Sequence, residues 1–283
     1  MIKSEEEMAI IGLDIGAYLT KGVLMKESSI IEAFTTLTND PNASVQKVLR
    51  SLLGEYSGKG LIKAIAVTGG GARKIRKFSE VPLVKIDEIQ AIGSGGLALA
   101  NESEGLIVNA GTGTAIVAAY DHGEKVVHVG GTGVGGGTLL GLSSRMLGID
   151  RFEEAEKLAE RGDAENVDLT VRDIVGGPIG IIPADATASN FGKLHTLASK
   201  EDVAAGIFNM VCQVVGVVGA MAAKACGLEE HVIITGGLVK SRLASKIISD
   251  TMKLFSVRPL IPENCEYCTA VGAARTIQLK NKI

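Results

Sequence analysis

The 283-residue chain has little net charge of either sign. Its 29 Lys and Arg stand against 32 Asp and Glu, a formal charge of -3 at pH 7. That balance gives no electrostatic reason to expect nucleic acid or an anionic membrane as a partner. No apolar run reads as long enough to cross a bilayer. The acidic opening MIKSEEEMAI lacks the basic-then-apolar pattern of a secretory leader. The expected compartment is the cytoplasm. Cysteine is scarce too: Cys212 and Cys226 lie in apolar, helix-like sequence and read as small core residues. Cys265 and Cys268 form a lone CxxC with no further ligands nearby at zinc spacing. It reads as a loop before a helix in a reducing cytosol.

What the chain does have is apolar residues, 46% of the total, and 36 glycines. The first figure indicates a globular protein, and 283 residues are enough for one large or two medium domains. The glycines concentrate in 128–144, HVGGTGVGGGTLLGLSS. Strand-like and helix-like runs flank this stretch, unlike a flexible linker. Such freedom costs conformational entropy, so something is expected to approach the backbone closely, and polyphosphate is the leading candidate.

Two halves of the chain share one grammar. An apolar run, 8–13, ends at Asp14 and returns through DIGAYLT as a second strand at 21–25. Likewise 105–109 ends in AGTGT and returns at 115–120. Each turn carries small residues and a hydroxyl expected to be exposed. The strand at 62–68 ends in Gly69-Gly70-Gly71 and that at 231–235 in Gly236-Gly237, and 83–86 reads as a further strand. Helical spacing appears at 45–53, after Asp87-Glu88, at 138–147, at 203–224, at 243–252 and at 270–279. The pattern predicts an α/β protein with a mixed sheet, internally duplicated, with a nucleotide between two lobes.

The order DxG…TK, NxGTGT, Gly-rich segment, TGG resembles the actin/Hsp70/sugar-kinase ATPase superfamily. Within it, DIGAYLTK, TGGGA, DEIQAIGSG, NAGTGT, HVGGTGVGGGTLLGLS, DLTVRDI, TASNFGK and TGGL resemble the type II pantothenate kinases over about residues 10–275. The resemblance implies a two-lobed actin-like ATPase fold of duplicated ribonuclease H-like domains. The N-terminal lobe would span 1–100, and the C-terminal lobe, with a dimerisation helix at 203–224, would span 101–283. It implies a cytoplasmic homodimer that uses ATP and Mg²⁺ to phosphorylate pantothenate, the first step of coenzyme A biosynthesis.

A carboxylate at a helix start after a strand can point into a cleft, which suits Asp87 and Glu88 equally. The resemblance selects Glu88 as catalytic base, in contact with substrate. It makes Asp14 the Mg²⁺ residue, acting through water, and Lys21 a point charge on the phosphates. It adds Gly16 and Thr20 in the first turn, and Gly111, Thr112, Gly113 and Thr114 as a second phosphate loop. Gly136, Gly137, Thr138, Leu139 and Leu140 would form a helix N-terminus facing the nucleotide, with Gly237 against the base. Phe152 falls beside the adenosine in the family, although the position equally suits a core.

Two departures stand out. Ala17-Tyr18 replaces the family's Gly-Thr, and His128 replaces the arginine that engages pantothenate ahead of Gly130. Histidine is shorter and lacks the bidentate fork. Arg145 is the candidate to reach in instead, or else a surface residue. A related alcohol such as pantetheine therefore stays open as the acceptor. Rival readings are an ATPase that drives a partner enzyme, a ROK-type sugar kinase and a non-catalytic nucleotide sensor. The first needs cluster cysteines after the central phosphate loop, and the second an ExGH motif and a cysteine-rich zinc site; neither pattern is present. Retention of Asp14, Lys21 and Glu88 argues against the third.

Overall fold

A computed structural model describes residues 8–54, 62–75, 81–180, 182–193 and 197–280. The first half supplies β1 (Ala9–Ile15), β2 (Leu19–Lys26), β3 (Ser29–Leu37), α1 (Pro41–Leu53), β4 (Ile62–Thr68), β5 (Leu83–Lys85) and α2 (Glu88–Ala100). The second half runs β6 (Gly105–Ala110), β7 (Thr114–Tyr120), β8 (Lys125–Thr132), α3 (Gly136–Leu147) and α4 (Phe152–Ala159). A small insertion follows, with β9 (Leu169–Thr170), α5 (Val171–Val175) and β10 (Thr187–Ser189). Then come α6 (Lys200–Cys226), β11 (Val232–Thr235), α7 (Arg242–Lys253) and α8 (Cys268–Lys280).

The strands form a five-stranded sheet of order β3-β2-β1-β4-β5 and a four-stranded sheet of order β11-β6-β7-β8. In both, a hairpin (β1–β2 or β6–β7) lies beside a parallel strand that returns after a helix, β4 or β11. The internal duplication anticipated from the two turns is therefore present in the topology. The edge strands β3 (SIIEAFTTL) and β8 (KVVHVGGT) are additions to the strands expected from sequence, and neither carries a clean apolar–polar alternation.

Side-chain alternation sorts each sheet into two faces. On the first sheet, Ile11, Leu13, Ile15, Ile65 and Val67 pack with Val45, Val48 and Leu52 of α1. Ile10, Val23, Ala64 and Ala66 pack instead with Ala270, Val271 and Ala274 of α8. On the second sheet, Ile107, Val117 and Ala119 meet Ile92 and Leu97 of α2, and the opposite face carries α3, α4, α6 and α7. The last helix, α8, thus returns to the first sheet.

Helices α2 and α8 press together between the sheets. A Cβ on Gly95 would run into the Cys268 carbonyl, one on Gly272 into the Ala91 carbonyl, and one on Gly12 into the Ala270 carbonyl. Glycine is required there because backbone meets backbone.

The expectation that no apolar run could span a bilayer needs correction. By length and composition α6 could, but most of that stretch is buried inside the protein. Phe208, Val211, Cys212 and Val215 form the centre of the second core. Ser199 and Asp202 cap its start reciprocally, at 3.1 and 3.0 Å, and Gly227 ends it in the left-handed conformation at φ 67°.

Candidate functional site

The cleft-side face of the first sheet ends in a group of polar residues. Asp14 pairs in register with Lys21 of β2 on one side and with Thr68 of β4 on the other. Alternation carries all three to the α8-facing side, continuing the rows Ile10-Gly12, Val23-Met25 and Ala64-Ala66. Asp14 is densely surrounded. Desolvation raises its carboxyl from 3.8 to about 6, against the opposing pull of Lys21, and a nearby negative Glu88 adds to the rise. The Lys21 ammonium donates to the Glu266 carbonyl at 2.8 Å, tying the first sheet to the turn that precedes α8.

Glu88 is the first residue of α2. Its neighbour Asp87 is the N-cap, accepting from the amides of Ile89 and Gln90 at 3.0 and 3.2 Å. Of the two carboxylates, Asp87 is therefore engaged by the helix backbone, and Glu88 faces the cleft edge. Desolvation first, and the Asp87 charge second, hold the Glu88 carboxyl above its usual value. Raised carboxyls at a cleft are what a proton-accepting site requires.

Of the turn hydroxyls expected to be exposed, Thr112 is exposed, whereas Thr20 and Thr114 are not. Thr20 is fully buried, with its hydroxyl on that of Thr38 at 2.8 Å. Alternation sends it, one residue before Lys21 and opposite Ile15, to the α1 side. Thr114 is also buried and donates to the Val134 carbonyl at 2.8 Å, fastening the second turn to the glycine-rich stretch. What approaches that stretch in this structure is the protein itself. The amides of Gly136 and Gly137 donate to the carbonyls of Gly111 and Thr112 at 2.8 and 2.9 Å. A Cβ on Gly135 would sit 2.8 Å from the Thr112 carbonyl oxygen. The Gly111 amide in turn reaches the Gly113 carbonyl at 2.8 Å, and the Thr138 hydroxyl donates to the Gly133 carbonyl at 3.1 Å. Leu139 is buried core and Leu140 half-buried.

Gly16 closes the first turn through its amide on the Leu19 carbonyl at 3.0 Å. Gly237 borders Lys21: a Cβ there would come within 3.5 Å of the ammonium. Phe152 packs edge-on against Phe208, with centroids 5.6 Å apart, as a core residue does. His128 is exposed and pairs in register with Val117. It therefore lies on the α2 side of the second sheet, facing the helix that begins with Glu88, and Gly130 lies beyond it with open space around its Cα. Arg145 is exposed on the last turn of α3. About 13 Å of helix separates it from Gly136, so the structure does not bring it to the turns.

Cys265 and Cys268 are free and buried. Desolvation raises both thiols, Cys268 to about 12, so neither is a ready thiolate ligand. Among the described residues no three His, Cys, Asp or Glu gather as a metal site. A hydrated Mg²⁺ needs no such cage, since it retains water and takes one or two carboxylates plus phosphate. Asp14 suits it: desolvation disfavours its carboxylate, which a nearby cation would offset, and the hydroxyl of its register partner Thr68 is buried without a hydrogen-bond partner.

Residues 103–275 match the Fumble family model. The chain is 30% identical over 273 residues to a type II pantothenate kinase of Bacillus thuringiensis subsp. konkukian, covering 93% of this chain and 95% of that protein. It is 28% identical to the type II pantothenate kinase of Staphylococcus aureus, covering 93% and 97%. Among solved structures, the activator of 2-hydroxyisocaproyl-CoA dehydratase from Clostridium difficile with bound ADPNP superposes with a TM-score of 0.68 at 20% identity, covering 98% of both chains. A ROK hexokinase from Thermus thermophilus gives 0.60 at 13% identity, covering 98% of this chain and 100% of that one. These likenesses establish the two-lobed actin-like ATPase fold.

Proposed function

Because the chain belongs to the Fumble family of type II pantothenate kinases, we propose that it transfers the γ-phosphate of ATP to the primary hydroxyl of pantothenate, opening coenzyme A biosynthesis in the cytoplasm. The observation that carries the assignment is near-full-length similarity to pantothenate kinases, at 28–30% identity over 93% of the chain. The clustering of Asp14, Lys21 and Glu88 at the cleft edge supports it.

Phosphoryl transfer asks the protein mainly for positioning and charge. The acceptor oxygen bonds to the γ-phosphorus as the bond to the leaving ADP breaks. Glu88, its carboxyl held above its usual value by desolvation and by the Asp87 charge, takes the hydroxyl proton. Lys21 exchanges the Glu266 carbonyl for a phosphate oxygen, a short swing for a four-carbon stem. Asp14, with Thr68 beside it, would hold Mg²⁺, which when bound offsets the charge of the phosphates. The turn at 111–114 and the start of α3 would border the nucleotide, with Gly237 against its base. His128 faces the acceptor side, where a shorter, single-point donor replaces a fork.

A homodimer belongs to the same proposal. Ile174, Val175, Ile179 and Ile182 of the insertion and Val217 and Met221 of α6 are exposed apolar residues that a second copy would cover. Sedimentation at micromolar concentration tests this, with a monomer overturning it.

The functional test is ATP consumption with Mg²⁺ and pantothenate, pantetheine or no acceptor, with Glu88→Ala in parallel. Turnover on pantothenate that the variant loses is the expected result. Turnover on pantetheine alone moves the acceptor. ATP binding without acceptor-dependent turnover overturns the proposal.

A further inference from the structure

The duplicated sheets supply an internal comparison. In the second lobe, Asn109 is the penultimate residue of β6 and Thr235 the last of β11, and the two residues are register partners. The buried Thr235 hydroxyl donates to the Asn109 side-chain oxygen at 3.1 Å. In the first lobe, the equivalent positions are Asp14, penultimate in β1, and Thr68, the last of β4, again register partners. Each threonine is followed by a glycine with positive φ, 84° at Gly69 and 101° at Gly236. The first lobe nevertheless lacks the bond: the Thr68 side chain is completely buried, and its hydroxyl has no hydrogen-bond partner.

An unsatisfied buried hydroxyl destabilises a fold, and valine would fill the same volume without that penalty. The surrounding geometry shows where the hydroxyl is directed. Alternation puts it on the face of Asp14 and Lys21, away from α1. The chain after it closes onto the carboxylate, since a Cβ on Gly69 would lie 2.6 Å from an Asp14 side-chain oxygen. The other unpartnered buried hydroxyl among the described residues, Ser143, lies within α3. A polar pair on one face, too far apart to bond directly, is the arrangement that a shared water serves.

We propose that Thr68 is a positioning residue for the divalent cation: its hydroxyl hydrogen-bonds a water of the hydration shell carried by Asp14. The role rests on the reading of Asp14 as the cation residue and adds a second protein contact to it. The duplication explains the difference between the lobes. Where no cation binds, an amide satisfies the threonine; where one binds, a carboxylate replaces the amide and the threonine hydroxyl is left for the ion's water.

The test uses Thr68→Val, isosteric without the hydroxyl, and Thr68→Ser, which retains it. Free Mn²⁺ is followed by electron paramagnetic resonance while it is titrated into protein with saturating ADP. ADP affinity is measured separately in EDTA, and thermal stability without ligand. Thr68→Val is expected to bind Mn²⁺ about five- to tenfold more weakly, the size of one hydrogen bond. Thr68→Ser restores it, ADP affinity in EDTA is unchanged, and ligand-free stability does not fall. Unaltered Mn²⁺ affinity in Thr68→Val overturns the proposal. So does an equal loss of ADP affinity in EDTA, or a clear drop in ligand-free stability, which would reveal a structural partner. No acceptor enters these measurements. A wild type that binds Mn²⁺ and ADP but does not phosphorylate pantothenate would refute only the function, whereas one that binds neither would refute both.

Discussion

Replacing Asp14 by asparagine should make the ligand-free protein more stable while removing its activity. Burial raises the Asp14 carboxyl from 3.8 to about 6, so the folded state holds its proton more tightly than the unfolded chain. The sign follows from linkage: below pH 3.8 both states are protonated and the group is neutral to stability. As pH rises from there through about 6, the folded protein must carry a buried charge, and stability falls; above that it is flat. The shift of about two pH units corresponds to roughly 3 kcal/mol at pH 8. Asparagine keeps the shape and never ionises. Asp14→Asn should therefore match wild type near pH 4 and exceed it by up to about 3 kcal/mol at pH 8. For a chain of this length that is on the order of 5 °C in Tm. Thermal unfolding at pH 4, 6 and 8 without nucleotide or divalent ion measures it. A variant that is equally or less stable at pH 8, or whose advantage does not grow with pH, would show that Asp14 is not strained by burial.

Glu88→Gln should lower kcat by about 10²- to 10⁴-fold and leave ATP binding in place, as steady-state kinetics and calorimetry would show; in wild type, kcat should fall as pH drops through the raised pKa of Glu88, because the base is then protonated. Thr20→Val should cost about 1 kcal/mol of stability through the lost bond to Thr38 and leave the KM for ATP unchanged, a raised KM indicating instead a hydroxyl that reaches nucleotide. Gly95→Ala should destabilise by about 1–3 kcal/mol or more, since its methyl runs into the Cys268 backbone; a denaturant midpoint equal to wild type would mean that α2 and α8 separate readily.

The hairpins around Asp14 and Asn109 were legible because each combines an apolar run with a small-residue turn, a local signal. Strand 62–68 was legible to the residue as β4, and Asp87 as a helix start because capping is local chemistry. The face a side chain takes was not. Thr20 read as an open hydroxyl until its one-residue offset from Lys21 put it behind the sheet. The glycines of 128–144 announced a close approach, but not that the approaching group is the turn at 111–113. Arg145 is near His128 in sequence, yet it sits at the far end of α3.

The sequence by itself determined the element types, the duplication and the identity of the groups that carry charge at the cleft. Each depends on periodicities and motifs within a few residues. The tertiary structure decided what those groups face. The return of α8 to the first sheet, the enclosure that raises Asp14 and the unpartnered Thr68 beside it all arise from strands and helices far apart in the chain. Burial and register are properties of the assembled sheets, and no local pattern encodes which threonine will find its amide and which will not.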